Sequence, residues 1–231
     1  MKKLFALAFL FASPAFAEVG GYVNGGLSIG SYQNEFSDSE EGIELDTGTG
    51  FNITGGLRFS PGFEARLSYM QTNHDGGDFT DDGDFDGEFD EEVTLSDFRA
   101  GVFYFKAPNP RFGFRVGGGY VKLGYDYEDA DKFTADGLFV EGSALVNAGQ
   151  LVTFDATAAF LAIDHDDEDS ETGGFEFGVG ATFHTGPVDI GVGYRFVALG
   201  TEFGDETYDD ELGEVFGEFR VTIGGRWGYG R

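Results

Sequence analysis

The chain has 231 residues, with 42 Asp and Glu against 14 Lys and Arg, for a formal net charge of −28. That balance excludes direct nucleic-acid binding, which needs Lys and Arg against phosphate. No Cys is present, so neither a disulfide nor a lipid-anchored Cys after a leader is available. The 27 Phe, 10 Tyr and 39 Gly favour strands and interrupt helices.

The chain opens as a secretion leader. Lys2 and Lys3 are followed by an apolar run from Leu4 to Ala12, then Pro14 and Ala15-Phe16-Ala17. Small residues at 15 and 17 suit a signal peptidase, which predicts a cleaved leader over 1–17 and a single mature domain over 18–231. The apolar run is too short for a helical span, which needs roughly 20 residues. No later stretch approaches 18 continuous apolar residues, so no helical membrane span is predicted.

Ten later segments alternate apolar and polar residues with the period of two that belongs to strands. In chain order they are 22–32, 51–60, 63–73, 93–106, 112–127, 138–147, 151–164, 175–184, 188–198 and 215–227. The second and third form the clearest pair. Phe51, Ile53, Leu57 and Phe59 alternate with Asn52, Thr54, Arg58 and Ser60. After Pro61-Gly62, Phe63, Ala65, Leu67 and Tyr69 alternate with Glu64, Arg66, Ser68 and Met70. The fifth sets Phe112, Phe114 and Val116 against Arg115. Its apolar positions then shift to Val121, Leu123 and Tyr125, which predicts a bulge at Gly117–Gly119 or a strand end leaving the membrane.

The connections alternate in length. Residues 60–62, 107–111, 148–150 and 185–187 are short turns, whereas 34–47, 74–92, 126–136, 164–173 and 199–214 are long and acidic. The five long segments hold 34 of the 42 acidic residues, and their only Lys or Arg is Lys132. The strands hold seven acids (Glu64, Asp97, Glu141, Asp155, Glu176, Asp189, Glu218) and, on the same faces, six arginines (Arg58, Arg66, Arg99, Arg115, Arg195, Arg220). Lipid cannot solvate such groups, so a near-balanced set predicts a lumen filled by paired charges. The fold predicted is all-β: a closed antiparallel transmembrane β-barrel of ten strands, with eight as the fallback count. A soluble lipocalin-type barrel is the alternative, and it requires the reverse arrangement, apolar inside and charged outside.

The leader, the Phe/Gly/Tyr-rich alternation and the short turns facing acidic loops resemble the small outer-membrane β-barrel proteins of Gram-negative bacteria, of the opacity-type and porin-like surface antigen kind. The resemblance covers the mature chain as a pattern. It implies a bacterial outer-membrane location, with outer-membrane lipid, lipopolysaccharide and the barrel assembly machinery as partners, and leaves any extracellular ligand unknown. It departs at the C-terminus. Such barrels usually end on an aromatic residue, whereas here Trp227 and Tyr229 are followed by Gly230-Arg231.

Two constellations bear on chemistry. Asp82, Asp84, Asp86 and Glu88, around Gly83 and Gly87, match the first half of a calcium loop. The twelfth position is Val93 rather than Glu, and helical flanks are missing, so the expectation is a solvated acidic loop binding divalent cations weakly, with no cofactor. Omptin-type surface proteases are also ten-stranded and place paired acids on one loop and an Asp and His on another. Asp84 and Asp86 followed by Asp164-His165-Asp166 offer comparable groups, and His165 could serve as a general base. The Asp-x-His spacing of omptins is absent, because residue 163 is Ile. His74 and His184 show no companions in sequence. Tyr69, Tyr104, Tyr194 and Trp227 fit an interfacial girdle. The expectation is therefore a non-enzymatic structural or surface-exposed barrel. The alternative is a narrow cation-preferring channel, with an omptin-like protease more remote.

Overall fold

The computed structural model describes residues 20–36, 42–60, 62–81, 84–127, 133–165, 170–185, 188–203 and 206–223. The expected leader, Asp82, Lys132, Asp166 and Trp227 lie outside them. Among the described residues twelve strands follow in chain order: β1 (Gly20–Phe36), β2 (Gly42–Ser60), β3 (Phe63–His74), β4 (Gly77–Asp81), β5 (Asp84–Phe89), β6 (Val93–Asn109), β7 (Phe112–Tyr127), β8 (Phe133–Ala148), β9 (Val152–His165), β10 (Ser170–His184), β11 (Val188–Phe203) and β12 (Glu206–Ile223). The order β1-β12-β11-β10-β9-β8-β7-β6-β3-β2 closes on itself through β1–β2 pairing, and each pair is antiparallel. Ten strands thus form a closed barrel. The short hairpin β4–β5 prolongs the β3–β6 pair, with β4 laid along β2 from Gly42 to Leu45.

Short turns need tight reversals, and glycines supply them. Gly62 and Gly149 adopt φ of 86° and 78°, in the left-handed region that a side chain disfavours. At the opposite end the strands run much further than the sequence pattern marks. Pairing between β1 and β2 reaches Glu35 opposite Gly42, and between β11 and β12 it reaches Phe203 opposite Glu206. Most of the acidic stretches expected as loops are therefore paired strand.

The reason is a reversal of sidedness along the barrel. Near the short turns the outer surface is apolar: Leu27, Leu67, Val140, Phe154, Phe177 and Val192 all face outward and are exposed, Leu27 by 74%. The inner surface at that level is polar. Towards the long-loop end the interior becomes apolar, with Val93, Val121 and Leu161 fully buried and Leu45, Leu95, Leu123, Ile163 and Leu199 packed around them. The exposed residues at that level include Glu44, Asp46, Asp136 and Glu211. A strand of 16 residues is roughly 50 Å long. Tilted by about 40°, it outruns an apolar band about 25 Å tall by more than 10 Å. The lower part is sided for lipid and the upper part for water, so membrane and soluble barrel patterns follow one another in one sheet.

The expected bulge at Gly117–Gly119 is not formed. β7 pairs without a break against β8 from Phe112 to Tyr125 and against β6 from Phe114 to Tyr127. Arg115, Val121 and Leu123 stand at alternate positions of one inward series. The apolar residues change sides because the interior changes from polar to apolar, while the register stays constant. β2 carries an irregularity near its long-loop end, where its pairing with β1 skips between Leu45 and Gly48. There His74, wholly buried, holds the Asp46 carbonyl through Nδ1 at 2.6 Å, and the Asp46 amide donates to the Gly76 carbonyl at 2.9 Å. This stitches the bulge to the break between β3 and β4.

Candidate functional site

Among the described residues the ion pairs lie in the lumen, which is built in tiers. Nearest the short turns, the Tyr22 hydroxyl donates to Glu64 Oε1 at 2.7 Å, and Arg58 Nε lies 3.2 Å from Glu64 Oε2. One level up, Arg66 and Arg115 share Glu141, Arg115 Nη2 standing 3.0 Å from Oε1 and Arg66 bonding Oε2. The Phe103 ring lies under both guanidiniums, 4.0 Å from Arg66 Cζ and 5.4 Å from Arg115 Cζ, an arrangement that stabilises desolvated cations.

The third tier spans the bore. Arg99 Nη2 lies 2.7 Å from Asp97 Oδ2 and 2.6 Å from Glu176 Oε2. Arg195 bonds Asp97, approaches Glu176 at 3.1 Å, and reaches Glu214 at 3.5 Å. Glu214 in turn accepts from the Thr72 hydroxyl at 2.7 Å. All five charged residues are buried. Charges removed from water are tolerated when each finds several partners, and here each arginine bridges two or three carboxylates. The strands that carry Asp97 and Arg195, β6 and β11, stand five places apart in the ring of ten, so their contact crosses the full width of the barrel.

Above this tier lies the apolar interior already described, which holds a cavity of only about 40 Å³, next to Thr72 and Glu214. Below it the lumen is more open. A cavity of about 190 Å³ lies between the second and third tiers, and another of about 250 Å³ opens towards the short turns.

Of the charged residues read from the sequence, the structure brings together Arg58 with Glu64, Arg66 and Arg115 with Glu141, and Asp97, Arg99, Glu176 and Arg195 with one another. Asp155 lines both open cavities. Glu218 accepts from Asn24 Nδ2 at 3.3 Å. Asp189 lies 3.2 Å from His184 Nδ1, whose Nε2 meets the Thr153 hydroxyl at 2.8 Å. Arg220 pairs through its backbone with Asn24 and Asp189, and its side chain lies outside the described residues. Sequence reasoning missed Glu214, Phe103 and His184 as lumen residues. Strand parity carried the signal: Glu214 shares parity with Glu218, Phe103 with Asp97 and Arg99, and His184 with Glu176.

Asp84, Asp86 and Glu88 belong to β5, an extended strand, where a calcium loop requires a sharp turn at glycine. Among the described residues no group of three or more His, Cys, Asp or Glu is placed to hold a metal ion. Asp84 and Asp86 reach the sheet through β4, whereas Asp164 and His165 end β9, between β8 and β10. Strand pairing does not bring the two groups together.

The family model described as the outer membrane protein beta-barrel domain matches residues 4–196. The chain belongs to that family. Its place is accordingly the bacterial outer membrane, and it is a small Gram-negative outer-membrane barrel. No curated protein matches the sequence. Among solved structures, the outer membrane protease OmpT from Escherichia coli is similar with a TM-score of 0.56 at 8% identity, over 90% of this chain and 97% of that one. The outer membrane protein OprG from Pseudomonas aeruginosa aligns with a TM-score of 0.45 at 11% identity, over 90% and 97%. Neisserial surface protein A aligns with a TM-score of 0.40 at 14% identity, over 87% and 96%. At 8% identity the likeness to OmpT is one of fold.

Proposed function

We propose that this outer-membrane barrel is a sealed, surface-exposed scaffold, which conducts no solute and catalyses no reaction. The observation that carries this reading is the pair of layers laid across the bore. The Asp97–Arg99–Glu176–Arg195–Glu214 tier spans it, and the Val93, Val121 and Leu161 layer fills it above. An ion entering from the short-turn side meets a self-neutralising charge tier and then an apolar layer that offers no ligands in place of its water. What the barrel offers to the medium is its upper wall, acidic outside and rigidly packed inside. A cation-preferring channel is the second reading. The acidic exterior supports it, because negative charge concentrates cations at a mouth. The packed interior speaks against it.

The test is potassium efflux from liposomes carrying the refolded chain. Efflux indistinguishable from protein-free liposomes is the outcome expected. Efflux that scales with the amount of folded protein would replace the scaffold with a channel.

A further inference from the structure

The strand register places the acidic residues of the upper wall in rows. Asp136 of β8 stands opposite Asp164 of β9, Asp164 opposite Glu171 of β10, and Glu171 opposite Glu202 of β11. In the register one acidic residue follows another across four consecutive strands, and among the described pairings the row meets a basic residue at its β7 end, where Lys122 stands opposite Asp136. A second row runs on the other side, with Glu88 of β5 opposite Asp78 of β4 and Asp78 opposite Glu44 of β2. Glu35 of β1 likewise faces Asp209 of β12. Residues directly opposite in an antiparallel pair have their Cβ atoms about 5 Å apart, and like charges so placed oppose the pairing. Ordinary sheets avoid this arrangement. Here it recurs at the height where the apolar interior is what favours pairing, so two opposing forces meet in the same strands.

We infer that the rim of the barrel is an ionic-strength switch. Its strand ends zip closed when dissolved cations screen the carboxylate rows and part when salt is withdrawn, while the membrane-spanning barrel below stays intact. The length scale sets the range. The screening length is about 30 Å at 0.01 M salt, far longer than the spacing within a row, and about 3 Å at 1 M, shorter than it. The rim therefore responds between these concentrations. The lipid-sided part carries its charges as opposite-sign pairs inside the lumen and does not respond. The inference rests on the reading of the upper wall as surface-exposed. Its test reads backbone opening, so it can fail while the lumen remains sealed, and the converse also holds.

The test is amide hydrogen exchange on the full chain in neutral detergent micelles, compared at 0.01 M and 1 M sodium chloride. Exchange at 134–136, 161–165, 170–174 and 199–203 is expected to slow by on the order of tenfold or more in high salt, several like-charge contacts being relieved together. Exchange at 143–146 and 154–157 is expected to stay constant. The variant Asp164→Asn with Glu171→Gln interrupts the row and should bring the rim to its high-salt protection at 0.01 M. Rim exchange that ignores salt, or that the double variant leaves salt-sensitive to the full extent, would overturn the switch. A response to millimolar magnesium with none to sodium chloride would also overturn it, because that is the behaviour of a bound ion and not of screening.

Discussion

Arg195 on β11 bonds Asp97 on β6 across the whole bore, joining strands that stand opposite each other in the ring. Removing the guanidinium leaves Asp97, Glu176 and Glu214 buried with Arg99 as the one remaining arginine of their tier. Arg195→Met is expected to cost about 3–5 kcal/mol, the range found when one partner of a buried ion pair is removed. Reversible urea unfolding in micelles measures this. A loss under 1 kcal/mol would mean that the tier is hydrated and loosely held.

The second tier gives an independent reading of charge coupling. Arg66 and Glu141 bond directly, with the Phe103 ring beneath the guanidinium. In a double-mutant cycle of Arg66→Met and Glu141→Gln, the pair is expected to show a coupling of about 1–3 kcal/mol, as residues in one buried network do. Additive effects would place the two side chains in separate environments.

Leu161 is wholly buried inside the barrel, in the cluster with Val121, Phe139 and Ile163. Leu161→Ala is expected to lower stability by about 2–5 kcal/mol, as truncations in packed cores do. The same unfolding measurement checks it. A negligible loss would show that the upper interior is open to water.

The change of sidedness along β7 can be read with reporter tryptophans. In a Trp227→Phe background, Tyr120→Trp places the indole on the outer surface, where Tyr120 is exposed. Tyr125→Trp places it inward, where Tyr125 packs against the apolar clusters. Brominated acyl chains are expected to quench the first and leave the second bright. Equal quenching at both positions would contradict the reversal.

Much of the barrel was legible in the sequence because period-two alternation and alternating turn lengths are local properties. The hairpin from Phe51 to Met70 shows both, and its Arg58, Glu64 and Arg66 lie in the lumen. What the sequence concealed was the height of the barrel. Segments such as 199–214, rich in Asp and Glu, read as solvated loops, whereas Leu199 and Leu212 pack inside and hold those stretches in the sheet. Glu214 was hidden for the same reason, as one acid among many whose neighbours point to water. Phe103 was hidden by its context: it stands between Val102 and Tyr104 in a run apolar on both faces, and only its parity with Asp97 and Arg99 marks it as inward. The shift at Gly117–Gly119 admitted a bulge or a strand leaving the membrane, and only the bulge fails, because identical register with a changed interior looks the same in sequence.

Single-channel recording tests most directly whether the bore is closed. The refolded chain, shown to be folded by its heat-modifiable gel mobility, would be inserted into planar bilayers in 1 M potassium chloride. Silence over many insertions is the result expected of a lumen closed by the Asp97–Arg195 contact and the apolar layer above it. Discrete, cation-selective steps from the folded protein would contradict it and make the charged tiers the filter of a narrow channel.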